Sequence, residues 1–363
     1  MPISAIPIEF CINIREALPA KGTVVKAATC RSYGSPHVLK IEDLPQPLPK
    51  RNEVLVEVRA STVTSGDVRL RASTGAGIFW LPLRLVFGIL RPRNPVTGME
   101  FAGVVAAVGA QVTKFRVGDE VFGMKIGGAN AEYLTIRETS AIVTKPEELS
   151  YEEAAAIPFG SLSAFAFLCD FARLQSGQKI LVHGASGAVG VFAVQLAKHF
   201  GAHVSGVCST ANMDLVKILG ADVVIDYTAT DFTKGSELYD IILDTVGGTS
   251  FSRSQHLLTP NGRHVFMVQK LPQLLQALWT SMRRGKRVIV GMSGDSQSDL
   301  LVIRKLIMAG TITPVIDRTF DLSEIADAHA YVDTGRKRGA VIVNVGRNRA
   351  GYVGVRLATF QFS

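Results

Sequence analysis

Hydrophobic and polar residues follow two different patterns along the chain. Between residues 23 and 145, short apolar or alternating runs, such as 24–28, 54–58 and 103–108, are separated by prolines and glycines. Alternation with a period of two, interrupted by turn-forming residues, is typical of antiparallel strands. This part of the sequence therefore predicts an antiparallel, barrel-like β domain.

Between residues 146 and 313, short apolar strands alternate with stretches of helical periodicity. The first helix is predicted from a capping-box pattern, in which Ser150 precedes Glu153 by three residues. Strands that alternate with helices form a doubly wound parallel sheet, which makes this part an α/β domain. Its predicted strands are residues 179–183, 203–207, 223–226, 241–243, 263–267 and 288–290.

The last part of the chain, residues 314–346, returns to a strand pattern, with an apolar run at 340–345. We expect this part to pair with the first domain, which would place a cleft between the two domains. Residues 1–22 and 347–363 are interpreted as terminal extensions. The first of them lacks the charged start and the cleavage pattern of a signal peptide.

A glycine turn between a predicted strand and a predicted helix is the strongest functional signal. Gly184, Gly187 and Gly190 have the spacing G-x-x-G-x-x-G. Glycines let the backbone approach a pyrophosphate, and the free N–H groups and dipole of the helix start favour its charge. The alternative is a turn that serves packing only. The turn predicts a dinucleotide site, with further contacts from Ser186, Ala188 and Val189.

The residues after the second predicted strand bear on the choice of dinucleotide. An acidic residue about 20 positions after the turn binds the ribose of NAD, whereas small polar residues admit the 2′-phosphate of NADP. Ser209, Thr210 and Asn212 stand there, and the next carboxylate is that of Asp214. We therefore expect NADPH rather than NADH, although these three residues can also cap the following helix.

Composition narrows the class of protein. A chain of 363 residues exceeds the usual size of a single core, so two domains are expected. The four cysteines form no C-x-x-C pair, which argues against a disulfide framework and a structural zinc site and favours a reducing, cytoplasmic location. The apolar run at 78–90 is too short to be a transmembrane segment.

The chain carries a formal charge of +8, with short basic runs at 283–287 and 336–338. No aromatic-basic interleaving or RNA-binding motif accompanies these runs, so we expect no nucleic-acid partner. A solvated basic face that attracts an anionic cofactor is the interpretation favoured by the charge.

Six further motifs occur in a fixed order, at residues 33–39, 98–105, 117–123, 154–158, 219–227 and 244–248. Together with the glycine turn, they resemble the medium-chain dehydrogenase/reductase superfamily, in its zinc-free quinone-oxidoreductase-like (zeta-crystallin-like) branch. The resemblance implies a GroES-like β-barrel domain, a Rossmann domain, NADPH as cofactor and, commonly, a homodimer.

Departures from the superfamily pattern define the expected chemistry. Zinc-dependent members have a cysteine after the early strand, near Thr64, and a histidine at the position of Met99, so no zinc is expected here. Enoyl-thioester reductases of the family have a proton-donating tyrosine, which residues 68–97 lack. Relatives also have a basic residue near the position of Asn212 and a Gly-Lys pair where this chain has Gly339 and Ala340. This chain lacks both of these possible phosphate contacts.

The resemblance also implies roles for individual residues. Thr64 and Ser163 are the candidates for holding the nicotinamide carboxamide or a substrate oxygen, and the alternative for Ser163 is a capping or packing hydroxyl. Asp67 is expected to fix a turn. Residues expected to flank the cofactor's adenosine phosphate or nicotinamide ribose are Tyr227, Val246, Gly247 and Gly248.

The function expected from these features is zinc-independent hydride transfer from NADPH to a small apolar quinone or α,β-unsaturated carbonyl. The alternatives are a non-enzymatic, NADPH-responsive protein that binds RNA or a protein, and a zinc alcohol dehydrogenase whose sequence has drifted but which still binds zinc. Residues 78–90 would wall the substrate pocket or contact a membrane surface; otherwise they form a core-packing helix or a subunit interface.

Overall fold

The computed structural model describes residues 22–73 and 80–346, so the predicted terminal extensions fall outside it apart from Gly22. The first domain is antiparallel, and β3 is its central strand, with β4 on one side and both β6 and the C-terminal strand of the chain on the other. Its elements in order are β1 Val24–Cys30, β2 Leu39–Pro45, β3 Glu53–Thr62, α1 Ser65–Ala72, α2 Trp80–Phe87, β4 Glu100–Val108, β5 Glu120–Met124, β6 Tyr133–Arg137 and β7 Ile142–Thr144.

The Rossmann domain contains a six-stranded sheet in which every neighbouring pair is parallel. Its elements are α3 Tyr151–Ala155, α4 Pro158–Ala166, β8 Lys179–His183, α5 Gly190–His199, β9 His203–Cys208, α6 Met213–Ile218, β10 Val223–Asp226, β11 Tyr239–Asp244, α7 Phe251–Ser254, β12 Leu258–Phe266, α8 Leu271–Ser281, β13 Arg287–Val290 and α9 Gln297–Met308. The strand order is β10-β9-β8-β11-β12-β13. It reverses between β8 and β11, where ligands bind at the carboxyl ends of the strands.

The C-terminal elements return to the first domain, as expected from the sequence. They are β14 Ile316–Asp321, α10 Ile325–Asp333 and β15 Ala340–Asn344. Strand β15 pairs antiparallel with β3, while β14 and β15 are parallel to each other. A parallel pair needs a crossover connection, which α10 provides.

One hydrophobic core connects the two domains. It includes Ala60 and Phe122 of the first domain together with α3, α4 and the buried face of α5. The helical stretch Tyr151–Phe171 is long and apolar enough to cross a membrane, but 72% of its apolar 18-residue window is buried inside the protein. Its composition is therefore that of a core helix. The side chain of Gln297 adds hydrogen bonds from α9 to the carbonyl oxygens of Glu138 and Ile142, each at 2.8 Å.

The apolar segment predicted at 78–90 forms the helix α2 from Trp80 onward, whereas Ile78 and Phe79 lie outside the described residues. Beside it, the guanidinium of Arg84 lies 3.7 Å from the centre of the Tyr33 ring. Phe87 helps to line a mainly apolar cavity of about 270 Å³ that also reaches Asp67. The segment therefore contributes to a pocket wall in the first domain.

Candidate functional site

The glycine turn follows β8 directly and leads into α5. Gly184 has a φ of +82°, in the left-handed region that favours glycine. A Cβ on Gly190 would lie 2.1 Å from the carbonyl oxygen of Gly184, whereas one on Gly187 would meet only that same oxygen, at 3.4 Å. The fold thus requires glycine at positions 184 and 190. At Gly187 the absence of a side chain leaves space that a ligand can use.

Tight packing holds the rest of this turn in place. A Cβ on Gly160 would lie 2.3 Å from the carbonyl oxygen of Ala188, so α4 runs directly against the turn. Val189 precedes the first residue of α5, whose ten residues end at His199. The N-terminus of this helix and the open position at Gly187 together form a cradle that favours an anion.

Three of the predicted cofactor contacts meet at the carboxyl ends of β8 and β9. The side-chain amide of Asn212 donates hydrogen bonds to the hydroxyl oxygens of Ser186 and Ser209, both at 3.1 Å. Tyr227 lies just beyond the neighbouring strand β10 and is 55% exposed, while its backbone N–H donates to the carbonyl oxygen of Cys208 at 3.0 Å. These residues are placed where a Rossmann sheet binds the adenosine half of a dinucleotide.

Thr210, also predicted to contact the cofactor, lies beside a carboxylate in the structure. Its hydroxyl donates to a carboxylate oxygen of Asp226 at 2.5 Å and lies 2.9 Å from the hydroxyl of Thr228. A carboxylate that is distant in the sequence thus reaches this corner, because Asp226 lies at the end of β10. Its hydrogen bonds to the two threonines hold the pKa of the Asp226 carboxyl below its usual range.

A buried carboxylate organises the turn after β11, where Val246 and Gly247 were expected to contact the cofactor. Asp244 accepts hydrogen bonds from the backbone of both residues and from the backbone and hydroxyl of Thr249, at 2.6–3.1 Å. Its other partner is the His183 ring at 3.1 Å. Burial alone would raise the pKa of Asp244, but these partners hold the pKa well below its usual range.

His264 extends this network into β12. Its two ring nitrogens lie 3.0 Å from the hydroxyls of Thr249 and Ser254, and its ring stacks on Phe266. Burial lowers the pKa of His264 to about 4, so the ring is neutral near pH 7. Neither His183 nor His264 was among the site residues predicted from the sequence. The register of the parallel strands pairs His183 with Asp244, which is the signal that could have revealed the contact.

Thr64 caps α1 at the edge of the cleft. Its hydroxyl donates to the carboxylate of Asp67 at 2.6 Å and accepts from the Asp67 backbone N–H at 3.1 Å, which completes a capping box. Asp67 therefore fixes this turn, in agreement with the role expected for it. The sulfur of Met99 lies 3.7 Å from the same hydroxyl.

The residues at this position do not fit a zinc ion. A hydroxyl committed to Asp67 and a thioether from Met99 replace the thiolate and imidazole ligands that catalytic zinc sites use. Within residues 22–73 and 80–346, no group of three or more His, Cys, Asp or Glu side chains could hold a metal.

Ser163 lies in the second turn of α4, so its hydroxyl does not cap the start of that helix. Its hydroxyl is 3.0 Å from that of Ser293, in the segment that follows β13. Glu100 anchors the same helix to β3, because its carboxylate accepts from the Phe159 backbone N–H at 2.7 Å and from the Thr62 hydroxyl at 2.5 Å. Glu100 thus connects the strand before Thr64 to the helix that carries Ser163.

Three titratable groups, Glu100, Asp67 and Lys337, lie near enough to one another to interact electrostatically, and they were not predicted as a set from the sequence. Burial raises the pKa of Glu100 to about 7 and that of Asp67 to about 6, and it lowers the pKa of Lys337 to about 8. The Lys337 ammonium donates to the carbonyl oxygen of Gly339 at 2.7 Å. The Gly339 N–H in turn donates to the carbonyl oxygen of Ser186 at 2.9 Å, which links the C-terminal segment to the glycine turn.

We expect Glu100→Gln to change how stability depends on pH. The folded pKa of this carboxyl lies above its ordinary value, so Glu100 favours folding at low pH and this contribution is lost as the pH rises through 7. A glutamine does not ionise; its oxygen keeps the hydrogen bond from the Phe159 N–H, and its amide N–H donates to the Thr62 hydroxyl in place of the bond it loses. Between about pH 4.5 and pH 8 the unfolding free energy of the variant should therefore rise by about 3 kcal/mol relative to wild type.

Denaturant unfolding across this pH range measures the effect, with Glu147→Gln on the exposed surface as the control. The control should follow the wild-type curve. Parallel curves for wild type and Glu100→Gln would contradict the assignment.

Comparisons with known proteins agree with this architecture. Residues 50–148 match the family described as alcohol dehydrogenase GroES-like domain, and residues 219–343 match the zinc-binding dehydrogenase family. The mitochondrial NAD(P)H oxidoreductase RTN4IP1 of Mus musculus is 32% identical, over 90% of this chain and 90% of its own length. The 2-methylene-furan-3-one reductase of Solanum lycopersicum is also 32% identical, over 88% of this chain and 79% of its own length.

A solved structure supports the same assignment. The quinone oxidoreductase from Coxiella burnetii superposes with a TM-score of 0.79 at 29% sequence identity, covering 89% of this chain and all of that one. The chain therefore belongs to the medium-chain dehydrogenase/reductase superfamily, in its quinone oxidoreductase-like branch, and is an NAD(P)H oxidoreductase.

Proposed function

We propose that this protein uses NADPH to reduce a small apolar quinone or α,β-unsaturated carbonyl compound without a metal. The observation that carries the proposal is the pairing of an open glycine position, Gly187, with a cleft in which Thr64 and Met99 stand where zinc ligands would be. The names of two relatives, a furanone reductase and a quinone oxidoreductase, fit this substrate class.

With its pyrophosphate at the glycine turn, the bound cofactor would supply a hydride from its reduced nicotinamide. The side chains of the protein bind the cofactor and the substrate and orient them. The Asp244 network fixes the turn at Val246 and Gly247, and the paired hydroxyls of Ser163 and Ser293 offer hydrogen bonds at the carboxyl edge of the sheet. The Thr64 hydroxyl directs its proton to Asp67 and keeps a lone pair for a donor such as a carboxamide. The proton that completes the reduction would come from water.

The preference for NADPH rests on the corner formed by Ser186, Ser209 and Asn212, which presents hydroxyls and an amide. Asp226 opposes that preference, because its carboxylate lies close to Thr210. We therefore expect Asp226→Asn to tighten NADPH binding about tenfold, equal to about 1.4 kcal/mol, and to change NADH binding little. Titration of each cofactor by fluorescence measures both constants.

The matched control is Asp231→Asn. It changes a partly exposed aspartate in the loop after β10, which pairs with Arg253. Equal effects of Asp226→Asn on the two cofactors would show that the 2′-phosphate is not near Thr210.

The function is tested by following NADPH and NADH oxidation with a panel of quinones, enones and aldehydes, using protein dialysed against a chelator and assayed for metal. We expect NADPH-dependent turnover with quinones or enones and no stoichiometric zinc. Cofactor binding without turnover of any acceptor would instead favour an NADPH-responsive binding protein. The homodimer and the cytoplasmic location remain predictions, which sedimentation and cell fractionation can test.

A further inference from the structure

The end of helix α2 presents four large aliphatic side chains to solvent. Leu85 and Val86 lie in the last turn of the helix, and Ile89 and Leu90 come directly after Gly88, which follows it. All four side chains are more than half exposed, and Leu90 is 89% exposed. We call these four residues the α2 tip: Leu85, Val86, Ile89 and Leu90.

Hydrogen bonds fix the backbone that carries the α2 tip. Gly88 has a φ of +121°, in the region that favours glycine, and its N–H donates to the carbonyl oxygen of Arg84 at 2.8 Å. The Arg93 N–H donates to the carbonyl oxygen of Phe87 at 2.7 Å. The Tyr33 hydroxyl donates to the carbonyl oxygen of Gly88, also at 2.7 Å. The fold therefore holds these apolar side chains at the surface.

Packing within the described residues does not account for this exposure. Single exposed leucines or valines are ordinary features of protein surfaces. Four neighbouring aliphatic side chains that are all more than half exposed form an apolar patch. Such a patch, bordered by polar residues, marks a site of interaction with a protein or a membrane.

The charge beside the α2 tip has one sign. Residues 68–99 contain five arginines and no Lys, Asp or Glu. Arg71 pairs with Asp333, and Arg84 forms hydrogen bonds within the segment. Arg91 and Arg93 follow the tip directly and are exposed. The apolar patch is therefore bordered by positive charge.

We propose that the α2 tip and the two arginines after it dock on the surface of an anionic lipid bilayer. The four aliphatic side chains enter the boundary between the headgroups and the acyl chains, where apolar residues flanked by Arg are favoured. Arg91 and Arg93 contact the lipid phosphates, and the negative surface potential of the bilayer attracts both charges.

The α2 tip borders the apolar cavity of about 270 Å³ in the first domain. Val86 is 62% exposed and also lines this cavity, so it forms part of the rim. The cavity reaches Asp67, whose carboxylate holds the hydroxyl of Thr64. If the proposed function holds, an acceptor dissolved in the bilayer enters the cavity at the tip and approaches Thr64 without crossing water. Docking itself does not depend on that function.

Other occupants fit the α2 tip less well. A second copy bound by the same surface would, in a two-fold dimer, bring the arginines of one copy against those of the other. An RNA would be attracted by Arg91 and Arg93, but it would leave Ile89 and Leu90 without an apolar partner. An anionic bilayer satisfies both the apolar patch and the charge.

Co-sedimentation of the full-length protein with vesicles tests docking without any turnover. Vesicles of phosphatidylcholine and phosphatidylglycerol should bind the wild type at least about tenfold more tightly than vesicles of phosphatidylcholine alone. Ile89→Ser/Leu90→Ser should weaken binding to the anionic vesicles about tenfold, and Arg91→Glu about fivefold. Raising the salt concentration should weaken wild-type binding and affect Arg91→Glu less.

Matched controls change exposed residues elsewhere by the same chemistry. Ile218→Ser removes an aliphatic side chain that is 82% exposed on α6, and Arg51→Glu reverses an exposed charge of the first domain. Both should bind anionic vesicles as the wild type does. Denaturant unfolding should show the same midpoint for all four variants, which separates loss of docking from loss of the fold.

Two quinones separate docking from the proposed activity. With a long-chain quinone dissolved in anionic vesicles, Ile89→Ser/Leu90→Ser should turn over several-fold more slowly than the wild type. With a water-soluble quinone the two proteins should be equal. A wild type that sediments with the vesicles but reduces neither quinone would contradict the proposed function and leave docking intact.

Either of two results would overturn the docking proposal. In the first, the wild type does not sediment with anionic vesicles. In the second, the two tip variants sediment as well as the controls do. Light scattering then identifies the other occupant. If the wild type is a dimer that binds no lipid and Ile89→Ser/Leu90→Ser is a monomer, the α2 tip is a subunit interface.

Discussion

Gly187→Val should fold normally and lose the cofactor. The Cβ introduced at this position meets only the carbonyl oxygen of Gly184, at 3.4 Å, and Gly187 has no positive φ that a side chain would strain. The site therefore accommodates a Cβ, whereas the valine side chain fills the space in which a pyrophosphate would approach the backbone. We expect the dissociation constant for NADPH to rise at least 100-fold, or about 2.7 kcal/mol, with the unfolding free energy changed by less than about 1 kcal/mol.

Two other glycines separate cofactor loss from misfolding. Gly346→Val is the neutral control, because a Cβ there meets nothing closer than 3.6 Å, on Arg59. Gly190→Ala is the opposite case, since its Cβ would lie 2.1 Å from the Gly184 carbonyl oxygen and the fold itself should suffer. Fluorescence titration and denaturant unfolding measure the two quantities. If Gly187→Val bound NADPH as tightly as the wild type does, the pyrophosphate could not lie at Gly187.

Asp244→Ala should have the largest effect on stability. The Asp244 carboxylate is fully buried and accepts hydrogen bonds from the backbone and hydroxyl groups of the turn that follows, as well as pairing with His183. Without it, several buried donors lose their partner at once. We expect a loss of about 3–5 kcal/mol, a large share of the 5–15 kcal/mol typical of a folded protein. Cofactor binding should fall as well, because the turn at Val246 and Gly247 loses its anchor.

The pH dependence of stability gives a second readout for Asp244. Its folded pKa lies below the ordinary value, so its contribution is present above about pH 3.9 and is lost as the pH falls through the folded pKa. The variant should therefore lose stability less steeply in acid than the wild type. Asp231→Ala, which removes a partly exposed carboxylate paired with Arg253, should cost no more than about 1 kcal/mol. Equal losses for the two variants would contradict the role given to Asp244.

The sequence predicted the sheet well because parallel strands buried on both faces form continuous apolar runs. The exceptions have local causes. Strand β12 was expected at 263–267 but begins at Leu258, because Pro260 and Gly262 resemble a turn while the paired ladder contains a register shift that accommodates them. Strand β4 was expected from residue 103 but begins at Glu100. The Glu100 carboxylate is buried, and its hydrogen-bond partners there are distant in the sequence.

At the site, too, features set by neighbouring residues were predictable, and contacts between distant residues were not. The glycine turn was predictable, because its conformational requirements are written in consecutive residues. The carboxylate beside Thr210 was not predictable in this way, because Asp226 reaches it from a different strand. Likewise, the contact between His183 and Asp244 joins residues 61 positions apart. Such contacts depend on strand order, which periodicity alone does not determine.

The central claim is direct hydride transfer from a cofactor held at Gly187 to an electron-poor carbon, without a metal. The most direct measurement uses chelator-treated protein, an enone substrate, and NADPH deuterated at the transferable position of its nicotinamide. Mass spectrometry and NMR of the product should find the deuterium on the β-carbon of the enone and a solvent proton on the α-carbon. Product without deuterium at the β-carbon, or turnover that returns only when zinc is added, would contradict the account.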